Sequence, residues 1–118
     1  YSMSLSVVAL YDSLGADAVE YIVNHAECVV AVSSKAKLPI VLAACAKCPH
    51  VKHIVQFDAV PEYNNPTETV AEADKKTAGS IQLLGLSELK AKGKALGGEL
   101  NIPSPETTAF IMYTSGTT

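Results

Sequence analysis

The sequence predicts an α/β fold, a mostly parallel sheet flanked by helices. Short apolar or β-branched runs alternate with segments of helical period. The connections between most of them are short, as in βαβ units. Apolar residues make up 48% of the 118, enough to build a core.

The elements follow in order. Residues 4–10 are mostly apolar and predict a first strand. Tyr11-Asp12-Ser13-Leu14-Gly15 predicts a turn, with Asp12 or Ser13 able to cap the next helix. Within residues 16–26, Val19, Ile22, Val23 and Ala26 recur at helical spacing. Asp17 and Glu20 sit early in that segment, where the helix dipole favours negative charge. Cys28-Val29-Val30-Ala31-Val32 predicts a buried strand. Leu38, Val41, Leu42 and Cys45 mark a second amphipathic helix, with Pro39 tolerable near its first turn and Pro49 stopping it. His53-Ile54-Val55-Gln56-Phe57 predicts a third strand.

Residues 58–80 differ in character. Pro61, Asn64, Asn65 and Pro66 mark a loop, followed by a polar stretch, and the segment is expected to be an exposed insertion. Ile81-Gln82-Leu83-Leu84 predicts a short strand. Ser87 is then expected to cap a helix reaching Leu96, with Leu89, Gly93 and Leu96 on one side and Gly97-Gly98 ending it. A Pro-containing linker leads into a last strand over residues 109–112, expected to be buried.

Composition excludes some function classes. Net charge is -3, and the nine basic residues are all Lys, without aromatic clustering. Nucleic-acid binding needs a basic surface and is not expected. No run approaches the roughly 18 apolar residues that span a bilayer. Three Cys, an odd number, disfavour a closed disulfide framework and point to a reducing, intracellular setting. Charged residues are only 18%. With a start at Tyr1 rather than Met, that value fits an internal piece of a longer protein.

The final residues carry the clearest chemical signal. The apolar run Ala109-Phe110-Ile111-Met112 leads into Tyr113-Thr114-Ser115-Gly116-Thr117-Thr118. Such residues dominate ordinary turns. They also suit a phosphate loop: Gly116 permits close backbone approach, and Thr114, Ser115, Thr117 and Thr118 supply hydroxyl donors. The Lys of a Walker A loop is absent.

Other candidates are weaker. Cys45-Ala46-Lys47-Cys48-Pro49-His50, with His53, resembles a metal or redox site in composition only. Its spacing is too tight for separated zinc-ligand pairs, and it lies at a helix C-terminus, where the dipole does not lower a thiol pKa. His25 follows an apolar helix face and is expected to be structural or solvent-facing. Lys90, Lys92 and Lys94 with Glu88 predict a solvated helix face. Tyr11-Asp12 suits either a turn or the wall of a cleft beyond a strand end.

The segment Phe110-Ile111-Met112-Tyr113-Thr114-Ser115-Gly116-Thr117-Thr118 resembles the start of the AMP-binding signature of the acyl-adenylating superfamily. The block Ser6-Val7-Val8-Ala9-Leu10-Tyr11-Asp12-Ser13-Leu14-Gly15, with Ala18-Val19-Glu20-Tyr21-Ile22 and Asn24-His25-Ala26-Glu27, is similar to long-chain fatty acyl-CoA synthetases. Cys48-Pro49-His50-Val51-Lys52 and Leu86-Ser87-Glu88-Leu89 fit the same branch. The likeness spans nearly the whole chain outside residues 58–80.

That resemblance implies part of an N-terminal AMP-binding domain, with residues 109–118 forming its strand and the start of its phosphate loop. It implies ATP, a long-chain fatty acid and coenzyme A as substrates, with Mg²⁺ accompanying the ATP. A carboxylate would be activated as an acyl-adenylate and passed to the CoA thiol. Thr114, Ser115, Gly116, Thr117 and Thr118 would hold ATP phosphates. No catalytic residue and no metal ligand is assigned within the chain, and the 118 residues alone are expected to be inactive. The implied location is intracellular, either cytoplasmic or on the cytosolic face of an organelle membrane, with any membrane attachment made by regions outside this stretch. Another acyl- or aryl-CoA ligase, or a non-catalytic α/β binding module, remains as an alternative.

Overall fold

The computed structural model describes residues 3–11, 13–57 and 70–114. The order is β1 (Val7–Val8), α1 (Ala16–His25), β2 (Val30–Ser34), a 3₁₀ turn (Lys35–Lys37), α2 (Leu38–Cys45), β3 (His53–Phe57), α3 (Glu72–Ala78), β4 (Gln82–Gly85), α4 (Leu86–Leu96) and β5 (Phe110–Ile111). The α/β class, with parallel strands flanked by helices, is as the alternation predicts. The strands divide into two sheets. β2-β3-β4 form one, and β1-β5 form a separate two-stranded ribbon. Every pairing is parallel.

The core grows from one row of the larger sheet. Ala31, Ile54 and Leu83 are in register across β2, β3 and β4. All three are buried against Val19 and Val23 of α1, the α2 residues Leu38, Val41, Leu42, Ala44 and Cys45, and Cys48 and Val51. Val19, Ile22 and Val23 form the buried stripe of α1, which is the i, i+3, i+4 spacing seen in sequence. α2 is apolar nearly all round, with Pro39 in its first turn, where no intrahelical N–H is needed. Its last residue is Cys45, four before Pro49, and a turn intervenes.

The opposite face of the sheet is covered unevenly. α4 lies against β3 and β4 and buries Val55 and Leu84. β2 is the edge strand beyond that cover, so Val30 and Val32 are exposed, Val32 at 62%. The run expected to be buried is therefore buried on one side only. β5 departs in the same way from the buried strand expected. It is two residues long, and Phe110 and Met112 are 63% and 67% exposed. Among the described residues only β1 pairs with it.

Helix ends also differ from the sequence reading. α1 starts from Gly15 in extended backbone without a side-chain cap. Ser13 is not its cap, and Asp12 lies outside the described residues. α4 follows β4 directly, so its N-cap is Gly85 and Ser87 is already inside the helix. Leu89 and Leu96 are exposed rather than packed. Gly97 at φ 65° supplies the left-handed residue that ends α4.

Part of the 58–80 segment enters the core. Residues 58–69 lie outside the described set. Val70 and Ala78 are buried in the same cluster as Ile54, while the rest of α3 is largely exposed.

Candidate functional site

β5 carries the chain toward the signature loop. Val7 pairs with Phe110 and Val8 with Ile111, and the Val7 amide donates to the Ala109 carbonyl at 2.9 Å. Ser6 Oγ adds a bond to the Thr108 carbonyl at 2.5 Å, and Ser4 Oγ one to the Asn101 carbonyl at 2.7 Å. Tyr113 and Thr114 leave the carboxyl end of this strand. Loops at that end of parallel strands line ligand sites in open α/β sheets. Thr114 is exposed. Ser115, Gly116, Thr117 and Thr118, the other expected phosphate contacts, lie outside the described residues.

Tyr113 is half-buried between two exposed neighbours. Its hydroxyl lies 2.6 Å from Nδ1 of His25, the last residue of α1. Tyr21, one helical turn earlier, stacks on the His25 ring at 5.5 Å with an interplanar angle of 11°. Both rings meet Tyr113 edge-on, at 6.4 Å for Tyr21 and 5.7 Å for His25. Partial desolvation holds the Tyr113 phenol above its ordinary pKa, with Tyr21 and Cys28 adding to the effect. The phenol is therefore neutral at neutral pH. Sequence alone gives His25 only a structural or solvent-facing role. The i, i+4 pair Tyr21/His25 is the available local signal, but its partner lies 88 residues away.

The end of α1 that presents His25 is firmly closed. The Cys28 amide donates to the Val23 carbonyl at 3.0 Å and the Glu27 amide to the Asn24 carbonyl at 3.1 Å, a Schellman closure. Glu27 takes the left-handed position at φ 52°, where Gly is usual. A side chain there costs about 1–2 kcal/mol. α1 is also tied to the chain after α2, by Glu20 to Lys47 at 3.6 Å and by the Asn24 amide to the Lys47 carbonyl at 3.3 Å.

A concavity of about 190 Å³ opens where β2 and β3 end. Tyr11, Leu14, Ser33, Ser34, Lys37 and Phe57 are among its walls. Tyr11 thus lines a cleft, one of its two expected roles. Nearby in register, Gln56 is 1% exposed, and its Oε1 has no hydrogen-bond partner among the described residues.

The whole chain, residues 1–118, matches the family model described as AMP-binding enzyme. The chain belongs to the AMP-binding enzyme family. Among its AMP-binding relatives, it is 34% identical to a peroxisomal acyl-CoA ligase 891 of Penicillium brevicompactum, over 99% of this chain and 17% of that protein. It is 34% identical to fatty acyl-CoA synthetase A of Dictyostelium discoideum, over 98% of this chain and 16% of that protein. It is likewise 34% identical to long-chain-fatty-acid–CoA ligase 1 of Cavia porcellus, over 100% of this chain and 16% of that protein. The chain thus spans 16–17% of the length of these relatives.

The Cys/His cluster of this AMP-binding chain has a packing role. Cys45 and Cys48 are buried, Cys28 is half-buried, and all three are free thiols. Burial pushes the Cys45 thiol up to about 11, with Cys48 and Cys28 adding to the shift. Burial also raises Cys48, and the Glu20 carboxylate adds to it. Cys48 Sγ lies 3.2 Å from the Ala44 carbonyl. Raised thiols are poor nucleophiles and poor metal ligands. Among the described residues, no group of three or more His, Cys, Asp or Glu is placed to hold a metal ion. Glu88 and Lys92 form an exposed i, i+4 pair at 3.6 Å, as expected of a solvated face.

Proposed function

We propose that this chain is the part of a fatty acid–CoA ligase that begins its ATP phosphate loop, in a complete protein that acts on long-chain acids. One observation carries the reading. The residues of the AMP-binding signature follow a parallel strand at its carboxyl end, in a chain matched by that family over its full length. The relatives' names, which include fatty acyl-CoA synthetases and a long-chain-fatty-acid–CoA ligase, support the substrate class.

In this reading Thr114, Ser115, Gly116, Thr117 and Thr118 cradle the β- and γ-phosphates of ATP. The hydroxyls and backbone amides of such a loop would stabilise the charge that develops on the departing pyrophosphate. The fatty acid carboxylate attacks the α-phosphorus. An O–P bond forms to give the acyl-adenylate, and the bond to pyrophosphate breaks. The thiolate of coenzyme A then attacks the acyl carbon and AMP leaves, giving the thioester. Mg²⁺, when bound with the triphosphate, would neutralise part of its charge, and none of the described residues is assigned to it. We take the protein to act inside the cell, in the cytoplasm or on the cytosolic face of an organelle membrane. Two of the relatives are named as peroxisomal. None of the helices is long and apolar enough to cross a membrane, among the described residues.

The test is acid-dependent exchange of labelled pyrophosphate into ATP by the complete protein that carries this chain. Exchange that rises from short-chain to palmitate-length acids is expected. Exchange driven by aromatic acids alone would move the substrate to an aryl class. Absence of exchange with every acid would remove the ligase reading.

A further inference from the structure

We propose that His25 is a positioning residue for the nucleotide loop. Its Nδ1 fixes the Tyr113 hydroxyl, and Tyr113 in turn sets the direction in which Thr114, the first expected phosphate contact, leaves β5. This inference rests on the reading of that loop as an ATP phosphate loop.

The geometry argues for it in three steps. First, β5 is only two residues long, so its pairing ends at Ile111, two residues before Tyr113. Two paired residues and an exposed outer surface leave the strand end weakly held. Second, a further contact on the residues just after the strand comes from outside the ribbon. It is a 2.6 Å hydrogen bond to the ring of His25, set within a three-ring cluster in which Tyr21 backs His25 and both rings meet Tyr113 edge-on. Edge-to-face pairs at such separations are favourable because a ring's positive rim meets its neighbour's negative face. Third, the anchor is rigid. His25 ends a helix whose inner stripe is buried, and the Schellman closure fixes the backbone just beyond it. The hydrogen bond holds with either ring tautomer. The phenol donates to an unprotonated Nδ1, or an Nδ1–H donates to the phenol oxygen.

The consequence is a division of labour. Tyr113 immediately precedes Thr114, the first expected phosphate contact, so a torsional error at Tyr113 displaces Thr114. Fixing it by a side chain on a different element lowers the ordering cost that nucleotide binding would otherwise meet.

The test uses the complete protein and reads ATP binding by calorimetry together with kcat and KM for ATP in the ligase assay. His25→Ala and Tyr113→Phe are each expected to raise KM and Kd for ATP about three- to tenfold, the range for one lost hydrogen bond, with kcat changing less. The double variant should lose no more than either single one, because both act through one contact. His25→Asn, whose side-chain amide reaches close to the Nδ1 position, should restore most of the affinity. His25 is exposed, and Ala is a stronger helix former, so His25→Ala should fold. Values within twofold of wild type for both single variants would overturn the proposal, as would additive losses in the double variant or an Asn variant as weak as Ala. Those results in an active wild-type protein would leave the ligase reading standing. A wild-type protein that neither binds ATP nor forms acyl-adenylate would remove that reading, and this inference with it.

Discussion

The β2-β3-β4 sheet and the β1-β5 ribbon are both parallel and both built from apolar residues, yet they are held in opposite ways. The larger sheet is held by burial. Ile54 is wholly buried, with Ala31 and Leu83 in register on either side and two helices over them. The ribbon buries little. Its outer side chains face solvent, and it is held by a handful of directed bonds: Val7 to Ala109, Ser6 to Thr108, Ser4 to Asn101 and Tyr113 to His25. Non-directional packing gives one region its stability. Directional bonds give the other its geometry, and the ribbon is the region that leads into the signature loop. Substitutions should therefore separate the two, with stability responding in the sheet and loop geometry in the ribbon.

The largest effect is expected at the centre of the sheet. Ile54→Ala removes a wholly buried side chain and should cost about 2–5 kcal/mol in denaturant unfolding. A loss under about 1 kcal/mol would mean that the core row does not dominate stability.

Next comes an alkaline transition of the same core. A thiol ionises near 9 when unfolded, whereas burial holds Cys45 neutral to about 11. The neutral form is the one favoured by folding. Its contribution is complete below pH 9 and is lost as pH rises toward 11. Unfolding midpoints measured from pH 8 to 11 should fall, and Cys45→Ala should flatten the decline. Unchanged curvature in that variant would assign the transition to other groups.

In the ribbon, Ser6→Ala removes one exposed hydrogen bond and should cost about 0.5–1.5 kcal/mol at most. Its clearer readout is faster exchange of the Val7 amide, with amides of β3 unchanged. Equal acceleration in both places would mean that the two regions open as one unit. The smallest effect is expected on α4, where Leu96 is 87% exposed. Leu96→Glu should change stability by less than about 0.5 kcal/mol.

Legibility in the sequence divides along the same line. α1 and α2 are readable because their buried positions repeat with the helical period, and the strands because apolar runs alternate with them. The exposed faces of β2 and β5 are not readable. A β-branched run looks alike whether one face or both are covered, and the cover is set by where α4 lies. The cap of α4 escapes sequence reasoning because β4 runs into it without a loop, which leaves Gly85 rather than Ser87 at the boundary. Within the candidate site, the signature residues are evident as a string, and four of them lie outside the described set. The His25–Tyr113 bond joins positions 88 apart, and no local periodicity encodes a contact of that range.

The pairing of Val7 with Phe110 closes nearly the whole chain into one loop. Closure entropy rises with loop length, and distant pairings form slowly for that reason. The elements between them can collapse on contacts far nearer in sequence, since β2, β3 and β4 are consecutive neighbours. Among the described elements the ribbon is therefore the last stitch, drawn tight once the middle has shortened the distance between residues 7 and 110. During synthesis it must also wait until residue 110 has emerged. Tyr113 follows directly after that stitch, so its bond to His25 marks the closing of these elements on one another. A chain with a misassembled middle would leave Tyr113 unanchored.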